Sequence, residues 1–273
     1  MASSIREKSW SLVAVSTSLP HTTHVTTGGD QMFEVTRDQT NKDIISGDIF
    51  ASSEYYKRIY GEFPSKFKVP AVEEYGDKFV LRADLTDGGL KAYAAERMIS
   101  EIEEDTLVYC APRQGHAADA IAQVARIYGK KVVFFMPSSK KASDHQAALF
   151  AYGHCTFKFV RIAAMPVLNK YAREWAEANG ARYIPFGMTG TPLVTAGLIK
   201  VGQEVTRALQ FSPTEFYCAV STGTMLRALC IAWPNTHARG VAVARNIKKG
   251  EIGTADVVSA TMPFLTPSKV SKD

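Results

Sequence analysis

The sequence has few cysteines and lacks the common metal-binding motifs. Its four cysteines, at positions 110, 155, 218 and 230, include no pair with CxxC spacing, and three of them lie in apolar runs. We interpret those three as buried reduced thiols, which excludes a disulfide framework and favours a cytoplasmic location. No HExxH motif occurs, and the six histidines have no cysteine neighbours at ligand spacing. No metal site is therefore predicted.

Long apolar runs are also missing. No stretch reaches the roughly 18 continuous apolar residues of a membrane span, and residues 1–8 lack the apolar core of a signal peptide. We therefore expect no membrane contact. With 46% apolar and 22% charged residues in 273, the chain is typical of one large or two small globular domains. The net charge of +5 is scattered along the chain and predicts only a weak preference for an anionic partner.

From about residue 78 the chain alternates apolar strands with helices, after a polar first fifty residues with a weak strand signal at 11–15. The predicted strands are 78–82, 106–110, 131–136, 155–160, 181–185, 216–220 and 238–244. The predicted helices are 90–102, 115–128, 143–152, 167–179, 193–209 and 225–233. This alternation predicts βαβ units and a mostly parallel sheet covered on both faces. Ligand-binding residues are then expected in loops at the carboxyl ends of the strands.

One such loop is Ser221-Thr222-Gly223-Thr224, which follows a predicted strand and opens a helix. Its small residues allow a ligand to approach the backbone, and the exposed amides with the helix dipole favour an anion such as phosphate. Loops of this composition also serve as ordinary helix caps. Two further loops, Arg113-Gln114-Gly115-His116 and Gly187-Met188-Thr189-Gly190-Thr191-Pro192, occupy similar places and are equally well explained as turns.

Lys91 follows Gly88-Gly89 in the first turn of a predicted helix. The helix dipole disfavours a cation there, and such local inconsistencies are common at functional sites, although a solvated surface lysine is the simpler explanation. A lysine and a phosphate-sized anion site at one edge of a sheet are what an aldehyde-bearing phosphate cofactor requires. The amine forms the imine, and the helix N-terminus holds the phosphate.

The sequence resembles the fold type II pyridoxal phosphate (PLP) enzymes, the group that contains cysteine synthase, threonine synthase and tryptophan synthase β. Within that group it is most similar to aminocyclopropane-carboxylate deaminase and D-cysteine desulfhydrase. Four segments match in order over residues 75–245. They are Asp87-Gly88-Gly89-Leu90-Lys91, the strand–loop–helix–strand unit at 107–137, the segment 183–192 with Gly197, and the loop 220–224.

The resemblance implies an α/β protein with two open, mostly parallel twisted sheets flanked by helices. A larger cofactor-binding domain would comprise 1–91 plus 197–273, and a smaller inserted domain 92–196. Lys91 would form the Schiff base with PLP. The implied cofactor-binding residues are Lys91, Gln114, Gly115, His116, Gly187, Thr189, Ser221, Thr222, Gly223 and Thr224.

Two positions depart from the family pattern. Leu90 replaces the asparagine that precedes the lysine, and His116 falls where the family has the asparagine that hydrogen-bonds the ring hydroxyl of the cofactor. After the last matched strand only residues 245–273 remain to face the pyridine nitrogen. We therefore expect an unusually open site or one completed by another subunit, and a homodimer.

The resemblance implies a PLP-dependent lyase or deaminase acting at the α-carbon of a small amino acid. One alternative is a PLP-dependent decarboxylase acting on an amino-acid-modified thymine in bacteriophage DNA. A phosphoribosyltransferase is a second alternative, although 218–220 lacks the paired acids that precede its diphosphate loop. A third is a non-catalytic PLP-fold binding module, if Leu90 and His116 spoil the site.

Overall fold

The computed structural model describes residues 12–16, 53–75, 78–113, 115–138, 142–161, 164–242 and 255–259. The helices are α1 (Ser53–Tyr60), α2 (Gly89–Ser100), α3 (Ala117–Ile127), α4 (Asp144–Phe150), α5 (Met165–Ala178), α6 (Pro192–Leu209) and α7 (Thr224–Ala232). The strands are β1 (Leu12–Ser16), β2 (Val72–Tyr75), β3 (Lys78–Arg82), β4 (Thr106–Cys110), β5 (Lys131–Pro137), β6 (Cys155–Val160), β7 (Arg182–Ile184), β8 (Glu215–Val220), β9 (His237–Ala242) and β10 (Asp256–Ser259). Short 3-10 turns span Ala83–Leu85 and Phe186–Met188.

The smaller sheet has the strand order β6-β5-β4-β7, and all of its pairings are parallel. Alternate residues of its central strands face opposite layers. Val108 and Val133 contact α5, whereas Leu107 and Phe134 belong to the main core. Both faces are therefore covered, which explains why β4 and β5 are continuous apolar runs rather than alternating ones.

The larger sheet has the order β10-β9-β8-β1-β3-β2. Strands β8, β9 and β10 are parallel, whereas β1 is antiparallel to both β8 and β3, and β2 is antiparallel to β3. The predicted α/β class with helix-flanked parallel strands is confirmed, but this sheet is mixed. Because β3 and β8 are each antiparallel to β1, they run in the same direction. Their carboxyl ends therefore lie at the same edge of the sheet.

Helices α2 and α6 pack closely through small residues. A Cβ at Gly197 would meet Cα of Ala94 at 2.7 Å and its carbonyl oxygen at 2.8 Å, so only glycine allows this approach. The strands of the smaller sheet lie between 106 and 184, and the described strands of the larger sheet lie outside that range. The division into 1–91 plus 197–273 and 92–196 remains a prediction, and both of its boundaries fall inside helices, α2 and α6.

A buried carboxylate connects α2 to the segment before β2 and to the end of α3. Glu96 is fully buried and accepts hydrogen bonds from the backbone N–H of Lys66 at 2.8 Å, the hydroxyl of Tyr128 at 3.0 Å and the hydroxyl of Ser65. Three donors satisfy the carboxylate, so its burial is compatible with a stable fold.

We expect Glu96→Ala to lower the free energy of unfolding by about 2–4 kcal/mol, because three donors lose their acceptor in a buried site. Urea unfolding followed by circular dichroism measures the change. Glu101→Ala is the matched control, since Glu101 is on the same helix but exposed and paired only with Arg97. We expect that control to cost less than about 1 kcal/mol. Equal losses in the two variants would contradict the structural role of Glu96.

Candidate active site

Lys91 is the third residue of α2, which begins just beyond the carboxyl end of β3. Two glycines make the turn: Gly88 has φ +69° and Gly89 has φ +62°, both in the left-handed region. A Cβ at Gly88 would also meet Cβ of Ala92 at 2.6 Å and Cα of Ala120 at 3.1 Å. The two glycines thus allow α2 to start against α3, and this close packing positions Lys91.

The amine of Lys91 has a perturbed protonation equilibrium. Desolvation by the surrounding protein lowers the pKa of Lys91 to about 8, although the Cys218 thiol on β8 opposes this shift. The residue remains partly accessible to solvent. At pH 7 about a tenth of the amine is neutral, compared with less than about a thousandth for an ordinary lysine. A neutral amine is the form that attacks an aldehyde.

The lowered pKa of Lys91 also predicts a cost to folding. Between pH 8 and pH 10.5 the unfolded chain keeps a proton that the folded chain has lost, so the stability of the parent rises with pH in this window. Below pH 8 the folded state carries the full desolvation cost. We therefore expect Lys91→Met to stabilise the PLP-free protein at pH 7 by about 1–3 kcal/mol.

Urea unfolding at pH 7 and at pH 10 tests this prediction, and the gain is expected to shrink at the higher pH. Lys200→Met is the control, because Lys200 lies on the surface of α6 and pairs with Glu204. A Lys91→Met protein that is no more stable than the parent at pH 7 would contradict the desolvation of Lys91.

The loop 221–224 lies after β8, at the same sheet edge as the start of α2. Gly223 is the N-cap of α7 with φ +80°, and no side chain caps the amides of this helix. The first turn of α7 contains no acidic residue. The guanidinium of Arg227, which is 2% exposed, donates to the carbonyl oxygen of Thr222 at 3.0 Å and fixes the loop. Ser221 is partly exposed at the end of the strand.

The loop at 187–191 meets this loop through threonine hydroxyls. The Thr224 hydroxyl lies 3.2 Å from those of both Thr189 and Thr222, and it donates to the carbonyl oxygen of Gly187 at 3.4 Å. Gly187, with φ +67°, has its N–H bonded to the hydroxyl of Tyr109 at 3.1 Å. A Cβ at Gly187 would lie 2.5 Å from Cγ2 of Thr222, so the contact requires glycine. The structure therefore brings together Gly187, Thr189, Thr222, Gly223 and Thr224.

The third loop places a histidine near the lysine. His116 is the N-cap of α3 and Gly115 precedes it with φ +126°. Burial lowers the pKa of His116 to about 4, and His145 and Lys91 add to the shift, so the imidazole is neutral at pH 7. Gln114, also predicted as a cofactor contact, lies outside the described residues. The predicted helix start at 115 is two residues early.

Sequence reasoning missed several residues of this site. Met188 is fully buried with φ +56°, a strained conformation for a residue other than glycine. Tyr109 and Arg227 anchor the two loops, and Cys218 lies within electrostatic range of Lys91. A capping signal, Ser143-x-x-Gln146, would have predicted the start of α4, but nothing local indicated that His145 contacts His116.

These residues fit PLP. The desolvated Lys91 amine suits an imine, and the uncapped, acid-free N-terminus of α7 suits a phosphate. The buried hydroxyls of Thr189 and Thr224 add donors next to that terminus. In the ranges that the structure describes, no His, Cys, Asp and Glu side chains group as metal ligands do. Among the same residues, no helix has the length and apolar character of a membrane span.

Comparison with solved structures finds the same fold in PLP enzymes. Diaminopropionate ammonia lyase from Escherichia coli, in its apo form, superposes with a TM-score of 0.58 at 16% identity, covering 79% of this chain and 70% of that one. Maize serine racemase gives 0.56 at 17% identity, with 70% and 60% covered. A threonine deaminase from T.th. gives 0.48 at 23% identity, with 59% and 52% covered. The chain thus spans about half the length of that deaminase.

A search of curated proteins finds no sequence match. A protein-family profile described as pyridoxal-phosphate dependent enzyme matches residues 64–257, which is more than half of the chain and includes all the site residues described above. The family implies PLP as the cofactor, and it leaves the phosphoribosyltransferase alternative without support. The chain belongs to the pyridoxal-phosphate dependent enzyme family with the fold type II architecture.

Proposed function

We propose that this protein is a PLP-dependent lyase or deaminase that acts at the α-carbon of a small amino acid through Lys91. The observation that carries the proposal is the desolvated amine of Lys91, at the sheet edge where the β8–α7 loop also lies. When bound there, PLP supplies an electron sink that weakens one bond to the α-carbon.

Lys91 is proposed both to hold the cofactor as a Schiff base and to carry the proton. With a pKa of about 8, its amine is a base at neutral pH when free and an acid when protonated. A surface lysine with its usual pKa would be almost wholly protonated and poorly suited to accept a proton. The lowered pKa of Lys91 therefore supports the second role as well as the first.

The phosphate is proposed to bind at the N-terminus of α7. Ser221, Thr222, Gly223 and Thr224 contribute backbone amides and hydroxyls, and Thr189 adds its hydroxyl from the neighbouring loop. The absence of acidic residues from the first turn of α7 leaves the helix dipole unopposed. Gly187 contributes by allowing Thr222 to lie against the backbone of the neighbouring loop.

The Gly115–His116 turn is proposed to face the cofactor ring. The neutral His116 imidazole has one donor and one acceptor nitrogen, and it would replace the hydrogen bond that asparagine makes in the aminocyclopropane-carboxylate deaminase and D-cysteine desulfhydrase branch. Placement in that branch remains part of this proposal. Gln114 is proposed as a further contact from its position in the sequence.

The reaction type is tested by product analysis with a panel of amino acids. The purified protein with PLP is incubated with each D- and L-isomer, and ammonia, 2-oxo acid and carbon dioxide are measured alongside chiral chromatography. Release of ammonia with a 2-oxo acid supports the proposal. Inversion of the substrate without ammonia would indicate a racemase, and a PLP-loaded protein that converts no amino acid would favour a binding module.

A second proposal concerns a larger substrate, an amino-acid-modified nucleobase in bacteriophage DNA that would undergo decarboxylation. The net charge of +5 favours it, because phosphate contacts strengthen as salt falls. A gel shift at low salt with duplex DNA tests it, and absence of binding would count against it. A homodimer in the cytoplasm remains our expectation for either substrate, and light scattering of the purified protein tests the oligomeric state.

A further inference from the structure

The loop that carries His116 is attached to the first turn of α4 at two points. Ser143, the N-cap of α4, donates from its hydroxyl to the carbonyl oxygen of Arg113. Two residues further along, the ring of His145 lies 4.7 Å from that of His116, centroid to centroid, with an interplanar angle of 57°. A capping box between Ser143 and Gln146 holds this turn in place.

His116 lies between two basic groups, His145 of α4 and Lys91 of α2, and both disfavour its protonation in addition to the effect of burial. A neutral imidazole donates from one nitrogen and accepts at the other. A ring flip exchanges the two nitrogens, and rotation at Cβ moves both of them. A useful hydrogen bond from His116 therefore requires that its ring orientation be fixed.

We propose that His145 is a positioning residue that packs against the His116 ring and holds it in the orientation needed at the cofactor site beside Lys91. The inference rests on the proposed PLP function and deepens it by adding a residue that supports the site from α4. Contact between rings restricts the rotamers of His116, and the attachment of Arg113 to Ser143 keeps the two elements together.

The test uses the full chain and compares His145→Ala with His145→Phe. We expect His145→Ala to raise the Kd for PLP about tenfold, whereas His145→Phe keeps an aromatic ring against His116 and stays within about threefold of the parent. The Kd is measured by quenching of intrinsic fluorescence. His237→Ala is the control, since His237 is exposed at the amino end of β9 and pairs with Asp256.

A second readout uses the PLP-free protein. Nuclear magnetic resonance titration of the His116 ring, assigned with His116→Asn, should show a higher pKa in both His145 variants because a neighbouring charge is removed. If His145→Ala loses its native circular dichroism, His145→Gln replaces it and is expected to bind PLP as weakly.

The outcomes separate the two proposals. PLP binding by His145→Ala as tight as in the parent, or by His145→Phe as weak as in His145→Ala, would overturn the positioning role alone. An unchanged His116 pKa in both variants would do the same. Failure of the parent itself to develop the visible absorbance of lysine-bound PLP would overturn the proposed function together with this inference.

Discussion

Replacing Lys91 with alanine is expected to abolish the visible absorbance that PLP acquires when bound to lysine, and to lower kcat by about 10³-fold or more. The variant lacks both the amine that forms the imine and the proton carrier. Its fold should be retained, because removing a desolvated amine relieves a cost of folding. Spectra recorded after addition of PLP, with circular dichroism and a turnover assay, measure the three quantities.

Lys200→Ala is the matched control for this experiment, since Lys200 is also helical but lies on the surface of α6. We expect it to keep the absorbance and the turnover of the parent. Retention of both properties in Lys91→Ala would show that another lysine holds the cofactor, and the assignment of Lys91 would be wrong.

The second large effect is expected for Gly223→Asp. Its carboxylate would lie at the N-terminus of α7, where the phosphate is proposed to bind, and two like charges at about 4–5 Å repel by roughly 3–4 kcal/mol at an effective dielectric constant near 20. We expect the Kd for PLP to rise by about a hundredfold or more. Fluorescence titration with PLP measures the change.

Gly223→Asn separates charge from backbone strain. Both side chains have the same size and both must adopt the left-handed φ of +80°, which asparagine tolerates comparatively well. We expect the asparagine variant to bind PLP much more tightly than the aspartate variant. Equal affinities in the two would remove the charge argument, and binding by Gly223→Asp as tight as in the parent would exclude phosphate at this loop.

Much of the fold was predictable because buried parallel strands leave a clear pattern. Strands β4, β5 and β6 begin and end within one residue of their predicted limits, since apolar runs of five to seven residues stop at polar or proline positions. Helix α1 was not predicted, because only Tyr56 and Tyr60 among its residues are buried. The antiparallel pairing of β1 depends on contacts distant in sequence, which a local pattern does not reveal.

The candidate site was predictable only in part. Lys91 stood out because its charge opposes the helix dipole, and the loop 221–224 because small residues open a helix. The contacts of Thr224 with Thr189 and Thr222, and of His116 with His145, join residues from different loops. Such contacts arise from tertiary packing, and the strained φ of Met188 likewise has no sequence signal. These positions needed the fold before their role could be inferred.

Reduction of the PLP-loaded protein with borohydride, followed by peptide mass spectrometry, tests the central assignment most directly. Borohydride converts the imine into a stable secondary amine, so the cofactor remains on the lysine that held it. We predict a single pyridoxyl-phosphate adduct on the peptide that contains Lys91. An adduct on another lysine, or none at all in protein that has taken up PLP, would contradict the account.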